Sequence, residues 1–538
     1  MRSIGIISCV VLFTLLPVFT VLAEDTLLSS VQAGSSALRI GLNATGAETL
    51  DPHMAAAFND RVVVDMIFNG LLRYEPGNAP HFEPDLAENI PEPFIRGNQQ
   101  IWTFLLKKGV IFHPGPKTGS YELTADDVVY SFRRAANPLR SRYAGEYKGM
   151  TVEKVDDYTC NVIMDSPLSP VLFFSKVADY AGGFIVPKRA IEAMGDKAFR
   201  ARPVGTGPFM FADHEVAKKL TLQANERYFR GRAQLDEVTI AFLPGMGAHY
   251  SAFSNGEVDV IRAGYEIDTR KNLSKEAIVD VFGVPEVALI HFNTSVKPLG
   301  DIRVRHAIAH ALDRNRFLAF FDELTTTNVY SPVPEPYLPG ALTEAQVKAL
   351  ELDYPFNLDR SRSLLAEAGF PDGFPLDVVA TKLNHVLKNY QSLKVQLARV
   401  GIRINLKVVD HSTMHRQIRQ NKSAIIIYEA WRPSTDAFLS RFFHSDSIVL
   451  TGKNPDTNFS HYREIDNLIV LAREEMNQQK QIRLWEYAQA KILEDMVAYP
   501  LHYRKRVYLR RDYVDYGHSL NSTMALYPQV TEKTRVLK

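Results

Sequence analysis

Cysteine is nearly missing from this chain of 538 residues: it has two, Cys9 and Cys160. Cys9 sits in an apolar N-terminal stretch that reads as a leader. With the leader gone one thiol is left, so no internal disulfide can form and stability must rest on core burial. An excess of either charge is missing too, with 62 Lys+Arg against 61 Asp+Glu. Losing Arg2 with the leader brings the two into balance, which removes the electrostatic ground for nucleic acid or an anionic membrane surface as partner. No later run approaches the ~18 consecutive apolar residues of a membrane span. There is no low-complexity tract and no internal repeat. Enzyme signatures are equally scarce: no Gly-x-Ser-x-Gly elbow, no P-loop and no Cys-x-x-Cys. Lys117-Thr118-Gly119 matches one box of the serine β-lactamases, but no Ser-x-x-Lys supplies a nucleophile, and a loop is the better account.

What is present begins with the leader. Arg2 gives the positive end, Ile4–Leu22 the apolar core, and Val21-Leu22-Ala23 a small-residue cleavage site followed by polar Glu24-Asp25-Thr26. Cleavage after Ala23 would leave an exported, soluble product of roughly 515 residues, more than one hydrophobic core usually organises, so two or three domains are expected. Hydrophobic content of 46% and charged content of 23% are ordinary for a globular chain.

Strand-like and helix-like runs alternate, the pattern of α/β lobes. ALRIG at 37–41 is expected as a buried opening strand, with further strands at 101–106 and 158–164. Residues 124–135 predict a helix: Thr124 can cap it, Asp126 and Asp127 suit its positive end, and Val128, Val129 and Phe132 share a face. A second apolar stripe, Leu364, Leu365 and Ala368, stops at Gly369. Residues 392–400, Gly401 and IRINLKVVD give helix, stop and strand. Residues 482–496 read as helical and 499–510 as extended.

Two His-x-x-x-His pairs raise the question of metal. His306 and His310 fall opposite the apolar face of Val304, Ala307, Ile308 and Ala311, so a solvated surface is expected. His411 and His415 lack a third ligand and the glutamate of a His-Glu-x-x-His hydrolase. Gly205-Thr206-Gly207-Pro208 has the glycines of an anion loop, but Phe209, Met210 and Phe211 continue as a strand rather than a helix, and a structural turn is expected.

Six segments in fixed order carry further meaning: ETLDPH (48–53), WTFLLKKGVIFHPG (102–115), ELTADDVVYSF (122–132), RPVGTGPF (202–209), FNTSVKPLGDIRVRHAIAHALDR (292–314) and GFPDGFP (369–375). Together, over residues 38–515, the series resembles the peptide/nickel type (family 5) extracellular solute-binding proteins of ABC transporters. The resemblance implies an α/β fold of the periplasmic binding protein type II class: two lobes with an interlobe ligand cleft, plus an extra domain on lobe one. Lobe one would comprise 24–62, 200–290 and 500–538, the extra domain 63–199, and lobe two 291–499. It also implies a binding subunit rather than an enzyme. Such a subunit is periplasmic and monomeric, needs no cofactor or metal, captures peptides or peptide-like solutes, and delivers them to a permease in the inner membrane. A different solute on the same fold (an opine, a glycoside or a metal chelate) is the alternative, and an extracytoplasmic hydrolase a distant one.

The same resemblance points to site residues. IIIYEAWRPSTDAFL (425–439) stands where peptide-binding members carry an aspartate for the ligand's ammonium group. Counting back from Phe438 places Trp431 at that position; alternatively the loop is shorter and Trp431 is the family's own tryptophan. In the first alignment an indole face replaces the acid, and Arg432 favours an anionic ligand group. In the second, Asp436 or Glu429 meets a cation. Packing of Trp431 into the interlobe core is the plain alternative. Ala55, Ala56 and Phe58 follow the first strand, where small residues let a ligand approach the backbone. Phe292 and Asn293, entering lobe two, and His502 and Tyr503, leaving it, would border the cleft.

Overall fold

A computed structural model describes residues 36–264, 277–335 and 337–537; the leader lies outside the described residues. Ala37–Leu42 is the central strand of a seven-stranded sheet, hydrogen-bonded in parallel to Glu237–Phe242 on one side and to Val260–Arg262 on the other. Leu38, Ile40 and Leu42 are buried, as a strand flanked on both edges requires. The antiparallel pair Phe209–Glu215 and Lys219–Ala224 closes one edge, and Ile278–Phe282 with Arg506–Arg510 the other.

The second lobe is built on Glu286–Phe292, held antiparallel between Ile425–Trp431 and Ala498–Arg504, with Thr326–Asn328 beyond. A parallel pair, Pro375–Thr381 and Arg403–Val409, lies beside it, joined by the bond from the Ala424 amide to the Asp377 carbonyl. The chain crosses between the lobes twice, at 283–285 and at 505. The two crossing strands run antiparallel, with Phe282 opposite Arg506 and Ala288 opposite His502. The crossings fall a few residues from the 290/291 and 499/500 limits expected from sequence. Residues 498–504 are buried throughout, so hydrophobicity leaves no mark where the strand changes lobe.

An antiparallel sheet of Pro93–Arg96, Gln99–Leu105, Thr159–Met164 and Met150–Asp156 forms the extra unit. Trp102 stacks on Phe173 there, with centroids 4.2 Å apart. The helix Ala125–Ala135 carries the expected cap: Thr124 and Asp127 form a reciprocal capping box.

The helix predicted from residue 392 spans Asn384–Ala398. Its first two turns are dominated by polar residues, which masked the period, although Tyr390 is fully buried. The last long helix likewise starts early, at Gln478, where Asn477 accepts from the Lys480 amide. Gly401 ends the 384–398 segment in the left-handed region, at φ +82°.

His306 and His310 depart from the solvated surface expected for them. His306 Nε2 meets the Glu494 carbonyl at 2.8 Å, and His310 Nδ1 the Pro355 carbonyl at 2.9 Å. Both rings are half-buried, because neighbouring segments cover the polar face of their helix. The Gly-Thr-Gly-Pro turn abuts the C-terminal end of the helix Phe58–Ile67, and the Gly207 amide donates to the Ile67 carbonyl at 2.8 Å. A Cβ on Gly207 would stand 2.6 Å from the Ile67 carbonyl carbon, so the glycines serve close packing.

Candidate interlobe binding cleft

Two adjacent cavities mark this region, one between the lobes and one in the wall of lobe two. One, of about 410 Å³, is lined from lobe one by Asn43, Phe58, Asn59, Met246 and Arg262, and from lobe two by His385. The other, of about 200 Å³, is walled by Glu286, His411, His415, Tyr428, Glu429 and Arg504, and again by His385. His385 thus borders both.

Strand register explains the charged wall of lobe two. Glu286 pairs with Trp431, Ala288 with Glu429, and Ala288 on its other edge with His502. The small Ala288 therefore stands between Glu429 and His502 in one cross-strand row. Arg504 closes on Glu429 through two bonds, Nε to Oε1 at 2.6 Å and Nη2 to Oε2. Burial would raise the Glu429 carboxyl, but the Arg504 guanidinium overrides it and holds the acid well below its ordinary range. Glu286 pairs with Arg506 at 2.6 Å. There burial wins and lifts the carboxyl above its ordinary value; Arg506 pulls the other way and the Glu429 charge adds to the rise. Beneath this wall His502 is fully buried and meets the Asn389 amide at 3.1 Å. Burial, first of all, keeps its imidazole neutral down to about pH 4.

Trp431, half-buried, leaves the lobe-two strand and packs against the core of lobe one. Its ring lies 5.6 Å from that of Tyr180 in the extra unit. The Arg61 guanidinium, on the helix Phe58–Ile67, sits 4.2 Å from the Tyr180 ring centroid and 5.7 Å from that of Trp431. Three chain regions meet in this one cluster.

Of the residues singled out from sequence, Phe58 and Glu429 line the cavities, and Trp431 lies at the lobe junction. The others fall elsewhere. Ala56 is exposed, whereas Ala55 is buried and its carbonyl accepts from Tyr143 Oη at 2.6 Å. Phe292 lies in the lobe-two core. Asn293 is buried beside it, its Nδ2 bonded to Asn421 Oδ1 at 2.7 Å and to the Ser423 carbonyl at 3.1 Å. Both side chains are buried inside lobe two, which leaves them no face toward the cleft. Arg432 braces the hinge, its amide donating to the Pro285 carbonyl at 3.0 Å and its Nη2 to Thr457 Oγ1 at 3.2 Å. Asp436 pairs with Arg473 at 2.7 Å beside a separate cavity of about 430 Å³ between the extra unit and lobe two. Tyr503 packs edge-on against Tyr337.

Sequence reasoning missed Arg61, Arg262, Glu286, His385 and Arg504. One signal was available: Arg504 and Arg506 are charged side chains inside a run otherwise reading as a buried strand, and such charges need partners. Pairings across strands leave no trace in a single sequence.

His411 Nε2 and His415 Nε2 stand 3.1 Å apart, and Arg419 donates to His415 Nδ1 at 2.9 Å. A neutral His415 accepting at Nδ1 carries its proton on Nε2, directed at His411, which is a hydrogen bond rather than a chelate. Among the described residues no group of three or more His, Cys, Asp or Glu side chains is placed to hold a metal ion.

Two α/β lobes joined by a pair of antiparallel crossings, with a cavity lined from both of them, define a two-lobed solute-binding protein of the periplasmic binding protein type II class. Residues 81–448 match the bacterial extracellular solute-binding proteins, family 5 (middle), and the chain belongs to that family. Heme-binding protein A of Haemophilus influenzae is 27% identical over 449 residues, covering 79% of each chain. The dipeptide-binding protein of Escherichia coli K12 is 23% identical over 454 residues, 79% of this chain and 81% of that one. Among solved structures, MoaA of A. tumefaciens R10 in complex with mannopinic acid is 34% identical, with a TM-score of 0.74 over 94% of this chain and all of that one.

Proposed function

We propose that this protein is the exported substrate-binding subunit of an ABC importer, capturing a peptide or peptide-like solute between its lobes and delivering it unaltered to an inner-membrane permease. The observation that carries this is the interlobe cleft itself. Both lobes line it, and its charged groups are anchored on the crossing strands and their neighbours. A guest touching both lobes favours the closed form by its differential affinity, and the crossings take up the change in dihedral angles. Export through a cleaved leader and action as a monomer in the periplasm belong to the same proposal, as does a division of the chain into lobe one, extra domain and lobe two near the limits given above.

One observation favours a second ligand class. The mannopinic acid binder is more similar to this chain than the dipeptide binder named above, and in one of the two alignments of residues 425–439 Trp431 stands in place of the acid expected for a peptide ammonium. Calorimetric titration with a set of dipeptides and with mannopinic acid decides between the two. Binding of dipeptides supports the first reading, exclusive binding of mannopinic acid the second, and X-ray scattering should report compaction with whichever ligand binds. Failure of every compound to bind or to compact the protein would remove both.

A further inference from the structure

Arg61 is the unusual charge of the lobe junction. Glu429 is matched by Arg504 and Glu286 by Arg506. Arg61, half-buried against two aromatic rings, makes a single side-chain hydrogen bond, Nη1 to Tyr180 Oη at 3.1 Å. Among the described residues no carboxylate forms an ion pair with it. The acid one turn along its helix, Asp65, is taken by the hydroxyl of Tyr527. Burial raises that carboxyl to about 6 against the pull of Tyr527 and Arg61.

Beside Arg61 the indole N–H of Trp431 is buried and finds no acceptor. One donor without an acceptor and a guanidinium without an ion-pair partner therefore share one cluster, and a guanidinium withdrawn from water without a paired anion is costly. Neighbours of the cluster line both cavities. Phe58 and Asn59, one turn before Arg61, line the larger cavity. Glu286, directly opposite Trp431 in the strand register, lines the smaller.

We infer that Arg61, with the indole N–H of Trp431, receives a carboxylate of the bound solute, so that the protein selects acidic guests over their neutral amides. The inference rests on the importer reading above but cuts across its two ligand classes, since a free dipeptide and mannopinic acid both bring a carboxylate. The planar guanidinium supplies the charge-assisted bonds, and the aromatic walls keep water from competing for them.

The test uses the whole exported protein, with L-alanyl-L-phenylalanine, its C-terminal amide and mannopinic acid as probes in calorimetry. The acids should bind, and amidation should weaken wild-type binding roughly 10- to 100-fold, as loss of a charged hydrogen-bond partner does. Arg61→Met should weaken acid binding by a similar factor and bind acid and amide alike. Arg61→Lys, which keeps the charge, should recover part of the loss and serves as the second variant where Arg61→Met does not fold. An acid-to-amide ratio that survives Arg61→Met, or mannopinic acid bound equally by wild type and both variants, overturns the inference and leaves the importer reading standing. Failure of wild type to bind either acid removes the importer reading's named ligands and this inference together.

Discussion

His291 shows how much a single buried side chain can carry. It is fully buried on the lobe-two strand Glu286–Phe292, with Phe442, Phe443 and Phe459 around it at centroid distances of 5.2, 5.9 and 5.7 Å. Neither ring nitrogen has a hydrogen-bond partner. Burial, and then the positive charge of Arg432, push the imidazole down to about 3. The folded state therefore holds this ring neutral at pH values where the unfolded chain protonates it. The sign follows from linkage: the unfolded state binds more protons below its pKa of about 6.5, so the penalty grows as pH falls from there toward 3. His291→Phe should fit the same aromatic nest and remove two unpaired polar atoms, raising stability by about 1–2 kcal/mol at pH 7.5. Its advantage over wild type should widen at pH 5. Thermal melts of both proteins at the two pH values check this; a gap that stays constant with pH would refute the assignment.

At the scale of elements, the Gly-Thr-Gly-Pro turn and the helix Phe58–Ile67 form one unit. The His113 amide donates to the Gly205 carbonyl at 2.8 Å, and the Gly205 amide donates to His113 Nδ1 at 3.2 Å. Burial keeps that imidazole neutral down to about 4, so it can accept. A Cβ on Gly205 would collide with the Ile67 carbonyl oxygen. Gly205→Ala should push away the helix that carries Phe58 and Arg61, costing about 2–3 kcal/mol and weakening ligand binding as well. Denaturant unfolding and calorimetry measure the two effects, and a variant that loses stability but keeps affinity would uncouple the turn from the cleft. Elements of this kind are where the sequence was most legible. The cap at Thr124, the stop at Gly401 and the strand at 37–42 follow local rules that act within a few residues. The helix at 384–398 was half-read because polar His385, Lys388 and Asn389 hide its opening turns, and His385, a residue common to both cavities, was lost with them. Phe292 and Asn293 were misplaced because a sequence shows that a chain crosses between lobes but not which way a side chain faces when it does. The Glu429–Arg504 and Glu286–Arg506 pairs are beyond local rules altogether, since a register across three strands creates them.

For the whole molecule, the question is what holds the lobes near each other before a guest arrives. The crossings alone restrict the path of motion, not its endpoint. The cluster of Trp431, Tyr180 and Arg61 does bear on the endpoint, because it joins lobe two to the extra unit and to lobe one. Opening the cleft must separate the indole from the ring 5.6 Å away and from the guanidinium. A cation–π contact contributes about 0.5–2 kcal/mol, enough to change the closed-to-open ratio about 2- to 30-fold. Trp431→Ala should therefore shift the ligand-free protein toward the open form, seen as a larger radius of gyration in X-ray scattering. Affinity should fall by up to the same factor, because the guest must then supply the closure energy that the indole provided. Ligand binding should also change the tryptophan fluorescence of wild type, and this change should shrink in the variant, where only Trp102 and Trp485, both deeply buried, remain. If Trp431→Ala keeps the scattering profile and the affinity of wild type, the indole is packing alone, and closure is set by the hinge and the guest.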